Sequence, residues 1–123
     1  MKVTVRITNN FKSEVKPLLK KYKSLTKDLL KLEKELLENP RLGTHLGQDA
    51  YKIRLKIASK NRGKSGGARV ISLVDSILIG VAEQTTSEEI TVNLLSIYDK
   101  ADVSSISDKE LKDLIKSFNE RSQ

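Results

Sequence analysis

The sequence predicts an α+β domain: a four-stranded, mostly antiparallel sheet with two N-terminal helices on one face and a C-terminal helix. Three observations carry that expectation. Apolar residues alternate with a period of two over residues 2–8 and again from Tyr51, and they recur at helical spacing over residues 11–37 and 111–118. Asn, Pro, Gly and Ser stand where the period changes, so the segments read as separate elements of one layered fold.

In MKVTVRIT, Val3, Val5 and Ile7 face one way and Lys2, Thr4, Arg6 and Thr8 the other, as in a half-buried strand. Asn9 or Asn10 then supplies a helix cap. Phe11, Val15, Leu18, Leu19 and Tyr22 keep helical spacing, with Pro17 predicting a late start or a kink. Ser24 caps a second helix, in which Leu25, Leu29, Leu32 and Leu36 form a stripe that Leu30 and Leu37 widen, and Asn39-Pro40 ends it. Residues 40–49, with Gly43 and Gly47, read as a loop.

From Tyr51 the period is two again. Tyr51, Ile53, Leu55 and Ile57 face one way while Lys52, Arg54, Lys56 and Ala58 face the other, so a strand buried under the helices displays three cations on its far side. Residues 59–67 form a polar loop with three glycines. Residues 68–82 are apolar on both faces, which predicts a central strand, and residues 90–98 are its antiparallel neighbour across the polar connection EQTTSEE. Ser107 with Glu110 matches a capping box ahead of Leu111, Leu114, Ile115 and Phe118.

The 123 residues fit one domain, 1–123, large enough to build a core without disulfide or metal staples. There is no cysteine, which excludes disulfides, thiolate chemistry and Cys-based zinc sites. No apolar run approaches the roughly 18 residues of a membrane span, and the first residues alternate like a strand instead of forming a signal peptide's apolar region. The expectation is a cytoplasmic protein without membrane association.

Charge is distributed unevenly. Between Tyr51 and Arg69 there are seven basic residues and no acidic one, equal to the formal net charge of +7 for the whole chain. Residues 71–123 instead hold five Lys/Arg against ten Asp/Glu. A one-signed block on a strand and its adjoining loop focuses positive potential on a polyanion. Nucleic acid fits it better than a membrane surface, because no long amphipathic helix with aromatic anchors accompanies it. A solvated basic face without a ligand is the plain alternative.

The run RGKSGG invites a phosphate-loop reading, but that motif needs a second glycine with four residues between it and Gly63, and Ala58 stands there. The glycines instead suit a basic hairpin tip that approaches backbone phosphate, and equally a flexible loop with no partner. The sole histidine, His45, has Asp49 four residues on but no helical context to join them, so no metal site and no cofactor are expected. Paired carboxylates for glycoside chemistry are not evident.

What remains is the cationic strand face: Lys52, Arg54 and Lys56, with Arg69 on the adjoining strand and Lys100 just past the last one. Such a cluster binds RNA phosphates. It also suits metal-free RNA cleavage, which needs a base at the ribose 2′-hydroxyl, cations around the phosphorane and an acid at the leaving 5′-oxygen. Crowded cations depress a lysine's pKa and make neutral lysine a feasible base. The residue pattern fits RNA binding and RNA cleavage equally.

The segments LENPRLGTHLG, YKIRLKIASKNRGKSGGARVI and LLSIYDK followed by ISDKEL resemble the RelE/ParE superfamily of bacterial type II toxins, particularly its HigB-like branch. The resemblance covers nearly the whole chain. It implies a compact toxin domain, a cognate antitoxin as partner and, on the RelE-like side, cleavage of mRNA on the ribosome; the ParE-like side poisons gyrase instead. It places Lys52 and Arg54 at the basic positions of the catalytic strand, Arg69 at the phosphate-holding arginine, and Lys100 at a further arginine after the last strand. Lys56, Lys60, Arg62 and Lys64 fall to RNA-backbone contacts. Arg54 and Lys100 each exchange the family's basic residue for the other kind, and Ile106 stands where a catalytic tyrosine is found; Tyr98 is near it in sequence but not equivalent. A non-catalytic, ribosome-binding protein is the third reading.

Overall fold

An alternating strand from the start of the chain and a long apolar strand from near its end meet inside one mixed sheet. The computed structural model describes residues 2–60, 66–80, 86–103 and 105–121. Along the chain run β1 (Lys2–Ile7), α1 (Asn9–Lys21), α2 (Leu25–Glu38), β2 (Thr44–Gly47), β3 (Ala50–Leu55), β4 (Ala68–Gly80), β5 (Thr86–Asp99) and α3 (Asp108–Arg121). The class is α+β, as expected. The sheet has five strands, not four, in the order β1-β5-β4-β3-β2, with β1 parallel to β5 and the other pairs antiparallel.

The added strand corrects the expectation of a loop over residues 40–49. Gly47 pairs with Ala50, so Gln48 and Asp49 are a two-residue hairpin turn, and both take positive φ, 52° and 64°. That is the primed turn whose twist matches antiparallel strands. Neither residue is the Asn-Gly or Asp-Gly pair that announces such a turn in a sequence. Gly43 also corrects the loop picture: a side chain there would collide with the Lys52 carbonyl, so the glycine permits a close approach to β3.

Two apolar layers cover the two faces of the sheet. On one, Phe11, Val15 and Leu18 of α1 and Leu25, Leu32 and Leu36 of α2 pack on Ile53, Leu55, Val70, Val74 and Val92. On the other, Leu111 and Ile115 of α3 pack on Ala50, Ile71, Leu73 and Leu95. Helix α1 continues through Pro17 from a cap at Thr8, whose hydroxyl accepts the Phe11 amide, so the expected cap at Asn9 or Asn10 moves back by one or two residues. Ser24 precedes α2 but makes no capping bond to it. The capping box at α3 forms as expected, with the Glu110 amide donating to Ser107 Oγ at 3.1 Å and the Ser107 amide to Glu110 Oε1 at 3.3 Å.

A β-bulge interrupts the β4–β5 ladder, where Ile71 faces Ser96 while Ser72 faces Leu94. The bulge leaves strand carbonyls to be satisfied from elsewhere. Thr8 donates its hydroxyl to Leu94 O at 2.9 Å, and Asn10 donates Nδ2 to Leu95 O at 2.9 Å. The start of α1 therefore caps its own helix and completes the bulge.

Candidate nucleic-acid interface

Residues directly opposite in a ladder share a face. Ala50 and Leu73 are such a pair and belong to the α3 layer; two residues on, Lys52 faces Ile71, and two further, Arg54 faces Arg69. Arg69 in turn faces Tyr98 of β5. The cations of β3 thus project on the α3 side, and Arg54, Arg69 and Tyr98 form a row across three strands. Lys52 is half-buried, Arg54 exposed, and Lys56 exposed just beyond the end of β3.

Arg69 is 8% exposed, the most deeply set of these cations. Its Nη1 donates to the carbonyls of Gly66, at 3.3 Å, and Ala68, at 3.1 Å. Among the described residues no carboxylate lies within ion-pair distance of it. A guanidinium held by backbone, with no counter-charge beside it among the described residues, is able to receive an anion.

Tyr98, which is not among the expected site residues, completes the row. Strict alternation from Val92 and Leu94 would turn Tyr98 toward α1 and α2, and the bulge reverses this. Its ring packs against the α3 layer together with Ile106, Leu114 and Phe118. Burial pushes its hydroxyl's pKa up, against the Ile106 backbone and the Arg69 charge, so it stays protonated at neutral pH. Ile106 itself sits in that apolar layer and offers no acid–base group.

The same reversal sends Asp99 to the opposite face. Its carboxylate is wholly enclosed, with Lys60 Nζ at 2.7 Å and Lys21 Nζ at 3.7 Å, and it accepts from the Tyr22 hydroxyl and, at 2.9 Å, from the Ala101 amide. Burial pushes its pKa up, but the Lys60 ammonium, the Tyr22 hydroxyl and the Ala101 amide together outweigh that and hold it lowered to about 2. Lys60, expected as an RNA contact, is therefore engaged inside the protein with its side chain 15% exposed.

The remaining expected residues are placed as follows. Lys100 is half-buried in the turn after β5, where its amide donates to Gly67 O at 3.1 Å. Arg62 and Lys64 lie outside the described residues. His45 is exposed on β2, its ring 5.0 Å from that of Tyr51, and no group of three or more potential metal ligands occurs among the described residues. Beside the cation row, a groove of about 880 Å³ opens between the start of α1 and α3, lined by Asn10, Glu14, Ser96, Tyr98 and Phe118 among others.

No family model matches the chain, and no curated protein matches it. Among the described residues no helix is long and apolar enough to cross a membrane.

Proposed function

We propose that the protein is the toxin of a type II toxin–antitoxin pair, a RelE-like endoribonuclease that cuts mRNA on the ribosome in the cytoplasm. The observation that carries the reading is the cross-strand row of Arg54 and Arg69, with Arg69 buried and without a carboxylate partner among the described residues. In the reaction, the ribose 2′-hydroxyl gives up its proton as its oxygen attacks the adjacent phosphorus, the P–O5′ bond breaks and the 5′-oxygen takes up a proton, giving a cyclic phosphate and a 5′-hydroxyl without a metal or cofactor. Arg69 neutralises charge that grows on the phosphorane. Lys52 aids proton transfer, while Arg54, whose guanidinium stays protonated, neutralises phosphate without acting as a base. Lys100 contributes a further cation at the end of β5, and Lys56, Arg62 and Lys64 extend the contact along the RNA backbone.

An antitoxin is required by this reading, since the producing cell must silence such an activity; an acidic segment folding over the cationic row suits the charge. The test is expression without the antitoxin, followed by mapping of mRNA 5′ ends on translating ribosomes. New ends within coding regions are expected. Intact transcripts with trapped gyrase–DNA complexes would move the protein to the ParE-like side, and ribosome binding at saturation without any cutting would leave a binding inhibitor.

A further inference from the structure

We propose that Asp99, Lys60 and Tyr22 form a latch that positions the stem of the basic loop beside Arg69, so that Lys60 serves the site through the loop and does not touch phosphate. The proposal rests on the nuclease reading and reassigns one of its expected RNA contacts.

The bonds run in one direction, from the core to the site. Asp99 is buried on the α1–α2 face and holds Lys60 Nζ at 2.7 Å; the same Nζ donates to Gly67 O at 3.3 Å. One ammonium thus ties Lys60 to Gly67 across the basic run of residues 61–65. Gly67 is held from two more directions. Its carbonyl accepts the Lys100 amide, and its φ of +74° brings it so close to Leu55 O that any side chain would collide there. The neighbouring Gly66 carbonyl accepts from Arg69 Nη1 at 3.3 Å. Whatever fixes residues 66 and 67 therefore also fixes the guanidinium assigned to the transition state.

A second set of bonds secures the other side of the stem. Ser59 donates its amide to Ser24 Oγ at 2.8 Å, and the Ala58 amide donates to Asp28 Oδ2 at 3.2 Å, so the chain leaving β3 is fastened to the start of α2. This explains why Ser24 does not cap its helix. For Lys60 to reach a phosphate it would have to strip Asp99 of its closest cation and leave a carboxylate buried with less compensation, which is strongly unfavourable.

Lys60→Gln, Asp99→Asn and the milder Tyr22→Phe separate the alternatives. Each is measured for amide hydrogen exchange at Lys100, for affinity to a single-stranded RNA oligonucleotide across a salt series, and for the rate of mRNA cleavage on translating ribosomes. The latch predicts exchange at Lys100 about tenfold faster in Lys60→Gln and Asp99→Asn, and about threefold faster in Tyr22→Phe. It predicts a cleavage rate at saturating ribosomes lowered about tenfold by either of the first two, with the double variant no worse than each alone, as for two ends of one bond. The salt dependence of RNA binding stays as in the wild type for Lys60→Gln. The proposal is overturned if Lys60→Gln leaves exchange unchanged and lowers the salt slope by about 0.7, the signature of one lost phosphate contact on a single strand. Tighter RNA binding by Asp99→Asn with unaltered exchange, showing that Lys60 had been released toward RNA, overturns it equally. Wild-type protein that cuts no mRNA while the exchange results hold would sink the nuclease reading and leave the latch standing.

Discussion

Arg69 and Asp99 sit on opposite faces of the sheet and respond to opposite tests. Removing Arg69 strips the site of the one buried cation assigned to growing charge, so Arg69→Ala is expected to slow cleavage by about a hundredfold or more while most ribosome association survives. The check is single-turnover cutting of ribosome-bound mRNA beside a sedimentation assay. Asp99 is a stability residue. Its carboxyl is lowered from 3.8 to about 2 in the folded protein, so its stabilisation is complete above the ordinary carboxyl range and is lost as pH falls through about 2. A shift of that size corresponds to about 2 kcal/mol. Urea midpoints of wild type and Asp99→Asn should therefore differ most near neutral pH and converge between about pH 4 and pH 2.

At the scale of elements, the β2–β3 turn holds two non-glycine residues at positive φ, Gln48 and Asp49. Replacing them with Asn and Gly, which tolerate that backbone, should stabilise the protein by about 0.5–1 kcal/mol, read as a higher urea midpoint with unchanged slope. Helix α3 has the opposite sensitivity. Ser107→Ala removes the acceptor of the Glu110 amide and should cost about 1 kcal/mol, with α3 amides exchanging faster than those of the sheet. The β4–β5 ladder continues past Leu73, the last residue of β4 paired with β3, and there Ile77 and Leu78 stand 63% and 73% exposed. Polar neighbours such as Ser76, which donates to Glu88 at 2.6 Å, accompany them on this ribbon.

For the whole molecule, the proposed RNA contact draws on the basic block between Tyr51 and Arg69, in which Lys60 is engaged by Asp99, and binding is expected to be steeply salt-dependent. Reversing the charge of Lys56, Arg62 and Lys64 together should lower the slope of log affinity against log salt by at least about 2, since each lost single-strand contact removes roughly 0.7. Fluorescence anisotropy with a labelled RNA across a salt series measures it. Cleavage should fall as a consequence of weaker association, in contrast to the Arg69 variant, in which rate falls and association persists.

Much of the architecture was legible from the period of the apolar residues alone. Val3 and Val5, the stripe Leu25, Leu29, Leu32 and Leu36 of α2, the alternation through Tyr51–Leu55 and the Ser107–Glu110 box each formed the element their spacing predicts, because burial of one face is a local requirement written into every second or every third and fourth residue; Ile7, Leu30 and Leu37, expected on the same apolar faces, are exposed. The seven-cation block needed only counting. Three things needed the folded chain. Strand β2 has no signal in the sequence, because Gln48-Asp49 carries no turn signature and the strand's pairing depends on the nearness of β3. The parallel pairing of β1 with β5 joins residues 87 positions apart, for which no local spacing carries a signal. The bulge beside Ser72 decided the rest: by adding one residue to β5 it turned Tyr98 toward Arg69 and sent Asp99 to the helices, where it captured Lys60. A strand's sequence determines that its side chains alternate. Which alternate set meets which partner is settled by register, and register is a property of the assembled sheet.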